Sequence, residues 1–356
     1  MERLTNITLE SIKRIIQDNN ILCWGCGNQG KRWAMYMNNW KLSDHLLGYI
    51  DNNLSKIGTT YECHGREYHI YSFNEAEDEF DSATILLISC LDYESVYKQL
   101  EECGCKFARV ISLAEIAQAQ LLVSDYPEVV KESEEELIPR IIHYAWLGGE
   151  KPDFIKRNIE GWHKLCPDYE IIEWNEHNYD VTKNKYMYQA YQKKKWGFVS
   201  DYLRLDVVYQ QGGIYLDTDI EMIKRPDELL HQRCFGCSDA TFTMNLGSGF
   251  GARPRCKIIR NLRDYYDNVS FVGEDGSIDN TSCNTHSFRV LEQRKYIITD
   301  NLQRIGEMNI YPMIFQGAAQ YTRTRKVTEK TFWVHYGSIS WMDDAVARKI
   351  MERLPA

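Results

Sequence analysis

Two carboxylates one residue apart, Asp217 and Asp219, close the apolar run Ile214-Tyr215-Leu216 within GGIYLDTDIE, residues 212–221. In an extended strand alternate residues point the same way, so this pair could offer its oxygens to one point in space. Carboxylate oxygens are hard ligands suited to Mg2+ or Mn2+. Those ions use one or two protein carboxylates and complete their shell with water and substrate phosphates. An Asp-x-Asp standing alone is more often the start of a surface turn, so its neighbours decide. The preceding VSDYLRLDVVYQQGG reads as one helix, with Ser200 as N-cap and Gly212 as C-terminal stop. Leu203, Val207 and Val208 face a core. Asp201 and Arg204 are three apart and share a face. They form either a solvated ion pair or a pair that holds sugar hydroxyls.

A second constellation lies near the N-terminus. ILCWGCGNQGKRW carries Gly25, Gly27 and Gly30 in G-x-G-x-x-G spacing, after a strand and at the opening of a helix. Such glycines allow a tight turn and close backbone approach to phosphate at a helix N-terminus. Asp51 ends the next strand, GYIDNN, about twenty residues beyond, where an acid can accept from ribose hydroxyls. The same loop could serve only as a tight turn. No Tyr-x-x-x-Lys pair accompanies it, which counts against redox chemistry.

The elements needed to position these groups are α/β in pattern. Strand and helix signals alternate over residues 21–118: ILCWG, a helix over 30–40, LLGYID, ATILLIS, the helical YESVYKQLEECG, and FARVIS. This implies a parallel sheet with helices on its faces. Residues 1–120 form a Rossmann-like domain on this reading. Residues 121–137 form an acidic linker, of which SDYPEVVKESEEE is a tether or a solvated helix. Residues 138–356 form a second α/β domain with strands RIIHYAWL, YEIIEW, GIYLDTD, MNIYP and FWVHY.

Composition narrows the function. A formal charge of −9 disfavours nucleic acid as partner. Eleven Cys, including the pairs Cys23/Cys26 and Cys234/Cys237, lack zinc-site spacing and read as reduced thiols of a cytoplasmic protein. MERLTNITLESIKRIIQ lacks the apolar core of a signal peptide, and Ala83–Leu91 is too short to span a bilayer. Peripheral membrane contact stays open; KKKW, residues 193–196, is a solvated face or a lipid contact. His143 on its apolar strand reads as a packed core histidine.

Four separated motifs carry a resemblance. IPRIIHYAWLGG, CPDYEIIEW, SDYLRLDVVYQQGGIYLDTD and VHYGSISW lie in this order within residues 138–345. Together they resemble the family 32 glycosyltransferases, which include mannosyltransferases, many bacterial capsule and O-antigen enzymes and, through the same motifs, the clostridial glucosylating toxins. The resemblance implies a GT-A fold in the second domain and retaining hexosyl transfer from a nucleotide-sugar with Mn2+ or Mg2+. It implies Asp219 as direct metal ligand, and Asp217 on the donor and on the metal through water. Asp201 and Arg204 would hold donor hydroxyls, Tyr215 and Trp146 would line the donor site, and Trp146 would stack on the base. His335, Ser340 and Trp341 would close over the diphosphate, with His335 a further metal ligand and Gly337–Trp341 a lid. A UDP-hexose donor and a glycan or lipid-linked glycan acceptor of bacterial surface polysaccharide synthesis are expected. The first domain resembles nucleotide-binding domains found beside sugar-modifying enzymes. Where family members carry a Gly-Pro element, this chain has TSCNTHSFRV, whose His286 reads as structural. NLGSGFGARP, residues 245–254, reads as an acceptor-side wall or a plain turn. The competing readings are an NAD(P)- or nucleotide-sugar-dependent oxidoreductase or epimerase, or a sensor, run from the glycine loop.

Overall fold

The computed structural model describes residues 1–90, 92–123, 126–317 and 326–337. The chain divides into two compact units, residues 1–124 with 297–300, and 125–296 with 301–356.

The first unit holds strands β1 (Glu2–Arg3), β2 (Ile21–Trp24), β3 (Leu46–Ile50), β4 (Thr60–Cys63), β5 (Arg66–Tyr71), β6 (Ile85–Ile88) and β7 (Arg109–Ser112). Their order is β1-β7-β6-β2-β3-β5-β4, parallel throughout except for the β4–β5 hairpin. Helices α1 (Leu9–Gln17), α2 (Asn28–Asn39), α3 (Phe73–Glu79), α4 (Tyr93–Cys103) and α5 (Leu113–Leu121) complete it. β2 and β6 are buried at every residue, which is why they read as unbroken apolar runs. Capping boxes at Ser72/Glu75 and Ser112/Glu115 start α3 and α5. β1, α1, the β4–β5 hairpin, α3 and α5 are additions to the elements expected from the sequence. The hairpin's signal was the two-residue turn His64-Gly65, both at positive φ (52° and 76°).

The acidic stretch after α5 forms no helix over its described residues. It runs extended along the second unit. Val130 N–H donates to Tyr311 Oη (2.9 Å), and Leu137 N–H to Leu230 O (2.8 Å). The buried Glu132 carboxylate meets Arg304 at 3.1 Å.

The second unit is built on β8 (Ile141–Ala145), β9 (Glu170–Trp174), β10 (Gly213–Tyr215), β11 (Ile220–Met222), β12 (Cys234–Cys237), β13 (Phe250–Ala252), β14 (Gln303–Ile305), β15 (Met308–Tyr311) and β16 (Trp333–His335). Seven form one mixed sheet, β14-β15-β12-β13-β10-β8-β9, and β11 pairs antiparallel with β16. Helices α6 (Asp153–Leu165), α7 (Lys185–Gln192), α8 (Trp196–Gln211), α9 (Lys257–Asp264) and α10 (Cys283–Glu292) surround it. α8 is buried continuously from Phe198 to Val208, so even its charged residues are inside. It begins at Trp196, so Ser200 lies within the helix rather than capping it. The apolar Phe198 and Val199 have a core to enter, and burial sets the boundary. Gly212 and Gly213, at φ +72° and +99°, let the end of α8 drop straight into β10. A Cβ at Gly212 would lie 2.7 Å from Pro254 and 2.8 Å from Pro139. No described helix is long and apolar enough to cross a membrane.

Candidate active site

The Asp-x-Asp pair converges by a different route from the one its sequence suggested. β10 ends at Tyr215, and Asp217 to Asp219 form a turn closed by Ile220 N–H to Asp217 O at 3.2 Å. A turn, not the strand pleat, points both carboxylates inward. β11 then runs antiparallel to β16 with Ile220 opposite His335, which delivers a distant histidine to the pair. His335 Nε2 lies 3.3 Å from Asp219 Oδ1, and its Nδ1 lies 2.8 Å from Ser248 Oγ. Asp217, Asp219 and His335 each offer a ligand atom within 4.8 Å of the others. Two carboxylates and an imidazole, with Asp219 and His335 buried, are a donor set that fits Mn2+ or Mg2+.

Behind this cluster stands α8. Asp201 and Arg204 are buried, so the pair is not the solvated ion pair that spacing alone also allowed. Arg204 Nη2 donates to Ser200 Oγ (2.6 Å) and lies 3.2 Å from Asp201 Oδ1 and 3.5 Å from Asp217 Oδ1. Its Nε donates to Ser200 O at 3.0 Å, and its guanidinium sits 5.2 Å from the centroid of the Tyr215 ring. A buried guanidinium needs acceptors on every side, and Ser200 is retained inside the helix as one of them.

The electrostatics follow from crowding acids in a closed space. Burial pushes the Asp201 carboxyl up to about 7, against the pull of Arg204. Burial and the neighbouring Asp219 raise Asp217, again opposed by Arg204. Burial works against a charged His335 ring, yet Asp219 and Asp217 outweigh it and raise its pKa. The cluster favours positive charge among the carboxylates.

Trp146 follows β8 and is half-buried. Its N–H donates to Trp174 O (2.9 Å) and its Nε1 to Gly149 O (3.1 Å). β8 is the parallel neighbour of β10, with His143 opposite Tyr215, so Trp146 and Asp217 leave the same edge of the sheet on adjacent strands. Ligands in α/β sheets collect outside the carboxyl ends of parallel strands. Ser340 and Trp341, and with them most of the expected lid, lie outside the described residues. Gly25, Gly27, Gly30 and Asp51 belong to the first unit.

Several residues at the site carried no clear sequence signal. In NLGSGFGARP, Gly247 lies against the pair: Asp217 N–H donates to Gly247 O (3.3 Å), and a Cβ at 247 would meet Asp217 Oδ2 at 2.4 Å. Asn245 Oδ1 accepts from Gly247 N–H (2.8 Å), while Asn245 Nδ2 donates to the buried Asp239 at 3.0 Å. TSCNTHSFRV starts α10 and brings Cys283 Sγ to 3.9 Å from Arg204 Nη1 and Asn284 Nδ2 to 3.4 Å from Asp239. This is the segment that replaces the Gly-Pro element. The glycine spacing around Ser248 was the only hint of the first group. His286 packs among Tyr186, Tyr265 and Tyr266 with its pKa lowered by burial to about 4, a structural histidine as expected. His143 is buried likewise.

Residues 152–236, which contain the Asp-Thr-Asp, match the family described as "Glycosyltransferase sugar-binding region containing DXD motif". Inositol phosphoceramide mannosyltransferase 3 of Schizosaccharomyces pombe is 26% identical over 153 residues, 41% of this chain and 43% of the relative. Inositol phosphoceramide mannosyltransferase 2 of the same yeast is 31% identical over 103 residues, 28% of this chain and 30% of the relative. Subversion of eukaryotic traffic protein A of Legionella pneumophila is 27% identical over 114 residues, 24% of this chain and 18% of the relative. The chain spans less than half the length of the curated relatives it matches. With its two aspartates, its buried Asp201–Arg204 pair and this match in agreement, the chain carries the sugar-binding region of the DXD glycosyltransferases.

Proposed function

We propose that the second unit is a metal-dependent, retaining hexosyltransferase that takes its sugar from a nucleotide-sugar. The observation that carries this is the meeting of Asp217, Asp219 and His335 beside a buried Asp201–Arg204 pair. A bound Mn2+ or Mg2+ would neutralise charge on the departing diphosphate. The rest falls to the chain. Asp219 and His335, held by each other and by Ser248, fix one side of the ligand set. Asp217, less buried and facing Arg204, meets the donor sugar. Asp201, raised toward neutrality, both donates to and accepts from sugar hydroxyls, while Arg204 only donates. The burial of these groups keeps water from the anomeric carbon and strengthens each polar contact. Retention is served by a front-face reaction in which the leaving phosphate takes the acceptor's proton; a trapped glycosyl-aspartate or glycosyl-glutamate would refute this.

The half-buried Trp146 favours a donor with a flat base, with UDP-hexose first. The relatives' names favour mannosyl donors and lipid acceptors, so GDP-mannose stands beside it. A glycan or lipid-linked glycan of bacterial surface polysaccharide synthesis is the proposed acceptor class, met by a cytoplasmic protein at the inner membrane face. Donor hydrolysis needs no acceptor, so a panel of UDP- and GDP-sugars with Mn2+ and with Mg2+ tests the assignment. One donor should be hydrolysed in a metal-dependent manner, and hydrolysis that chelation leaves unchanged would refute the metal role.

A further inference from the structure

A cavity of about 390 Å3 opens at the carboxyl edge of the first unit's sheet. Two loops and a helix start line it: Gly25 and Gly27 after β2, Asp51 and Asn52 after β3, and Asp92 and Ser95 at the beginning of α4. From β2 the chain builds outward through β3 and β5, then crosses back to β6 on the other side of β2. The direction of winding reverses between β2 and β6, so α2 and α4 diverge from this point. That divergence leaves the crevice in which open α/β sheets bind ligands. Its volume falls in the range of small-molecule sites.

The three glycines of the loop have unequal reasons. Gly25 takes φ +101°, and a Cβ at Gly30 would fall 1.8 Å from Gly25 O, so the fold itself demands both. Gly27 is different. It sits at φ −94° as the N-cap of α2, and a Cβ there would meet nothing within 4 Å. Ser, Asp or Asn would cap the helix better, so folding does not explain this glycine. A bare position on the cavity wall lets a ligand approach the backbone.

Asp51 is held in place from three directions. Its oxygens accept from Cys26 N–H (2.9 Å), Lys56 Nζ (2.8 Å) and Asn53 N–H (2.9 Å). A carboxylate has about four acceptor positions, so one stays open on an oriented and partly shielded group. Lys56 also donates to Cys26 O at 3.1 Å and ties the glycine loop to this acid.

We propose that this cavity binds a ribonucleotide with an unmodified ribose, its phosphate at the Gly25–Gly27 turn and a ribose hydroxyl donating to Asp51. A 2′-phosphorylated ribose would bring like charge against Asp51. The proposal is independent of glycosyl transfer in the second unit.

The test uses the full chain carrying Asp219→Asn, in EDTA, titrated calorimetrically with NAD+, NADP+ and UDP-glucose. NAD+ or UDP-glucose should give one saturable site per chain that Gly27→Val weakens roughly tenfold or more, and NADP+ should bind no better than NAD+. A Cβ at position 27 meets nothing within 4 Å, so in the otherwise native chain Gly27→Val should lower the melting temperature by only a few degrees, the cost of a poorer N-cap, and keep metal-dependent donor hydrolysis. Absence of Gly27-dependent binding at millimolar probe overturns the proposal, as does UDP-glucose binding that persists unchanged in Gly27→Val with no binding of NAD+. A preference for NADP+ overturns the placement of the ribose at Asp51.

Discussion

At the scale of single residues the two aspartates of the turn are not equivalent. Asp219 is buried against His335, whereas Asp217 keeps 29% of its side-chain surface and faces Arg204. Asp219→Asn should cost Mn2+ affinity and lower donor hydrolysis by roughly a hundredfold or more. Asp217→Asn should raise the donor's KM more than it weakens Mn2+, and calorimetry with Mn2+ alone separates the two. His335 adds a pH dependence with a definite sign. Its pKa is raised chiefly by Asp219, against burial, and a protonated ring cannot ligate. Mn2+ affinity should therefore fall as pH drops from 8 to 6, and His335→Ala should weaken binding while flattening that slope. The Asp-x-Asp was legible because its residue types announce their chemistry. Ser248, Asn245 and Asp239 were not, because a serine or asparagine in a glycine-rich loop looks the same whether it lines a site or turns a corner.

Secondary elements explain how such residues meet. The helix and strand ahead of the turn were legible over α8 and β10, since Trp196–Gln211 has continuous helical character and Gly212-Gly213 ends it. The pairing of β11 with β16 was not, because register between distant short strands leaves no local pattern. Only the resemblance placed His335 near the aspartates. His143 shows how firmly the junction of α8 and β10 is fixed. Its Nε2–H donates to Gly212 O (2.7 Å) and its Nδ1 accepts from Trp174 Nε1–H (3.1 Å), so both ring nitrogens are used by the neutral form. Burial lowers its pKa to about 4. The folded state therefore refuses a proton that the unfolded chain takes up below about 6.5. The resulting stability is complete above that pH and is lost as pH falls toward 4, by at most ~3 kcal/mol. Asp201 works in the opposite sense, since a carboxyl raised to about 7 penalises the fold as pH rises from 4 to 7. The quantity to read is thus the difference between the wild-type and His143→Phe urea midpoints, which should narrow on going from pH 7 to pH 4.5.

Across the whole molecule the sequence pattern changes at the acidic stretch, and the two compact units divide within it. The pattern gave no sign that residues 297–300 belong with the first unit. Four residues are too few to carry a periodicity. There Trp40 Nε1–H donates to Ile298 O at 2.9 Å, and Ile298 N–H donates to Asn39 Oδ1 at 2.8 Å. A fragment of residues 1–123 lacks both partners for the end of α2. It should melt below the first unit in the full chain, and its Trp40 indole proton should exchange with solvent much faster.

That returning tetrapeptide also bears on how the protein is made. Ribosomal synthesis delivers the N-terminal part first, and domains generally fold in that order. Here the indole of Trp40 must wait for a carbonyl 258 residues further along the message. The first unit can therefore emerge and collapse early, yet it reaches its finished form only after residue 298 has also been made. Until then, the helix that begins at the glycine loop stays without its last anchors.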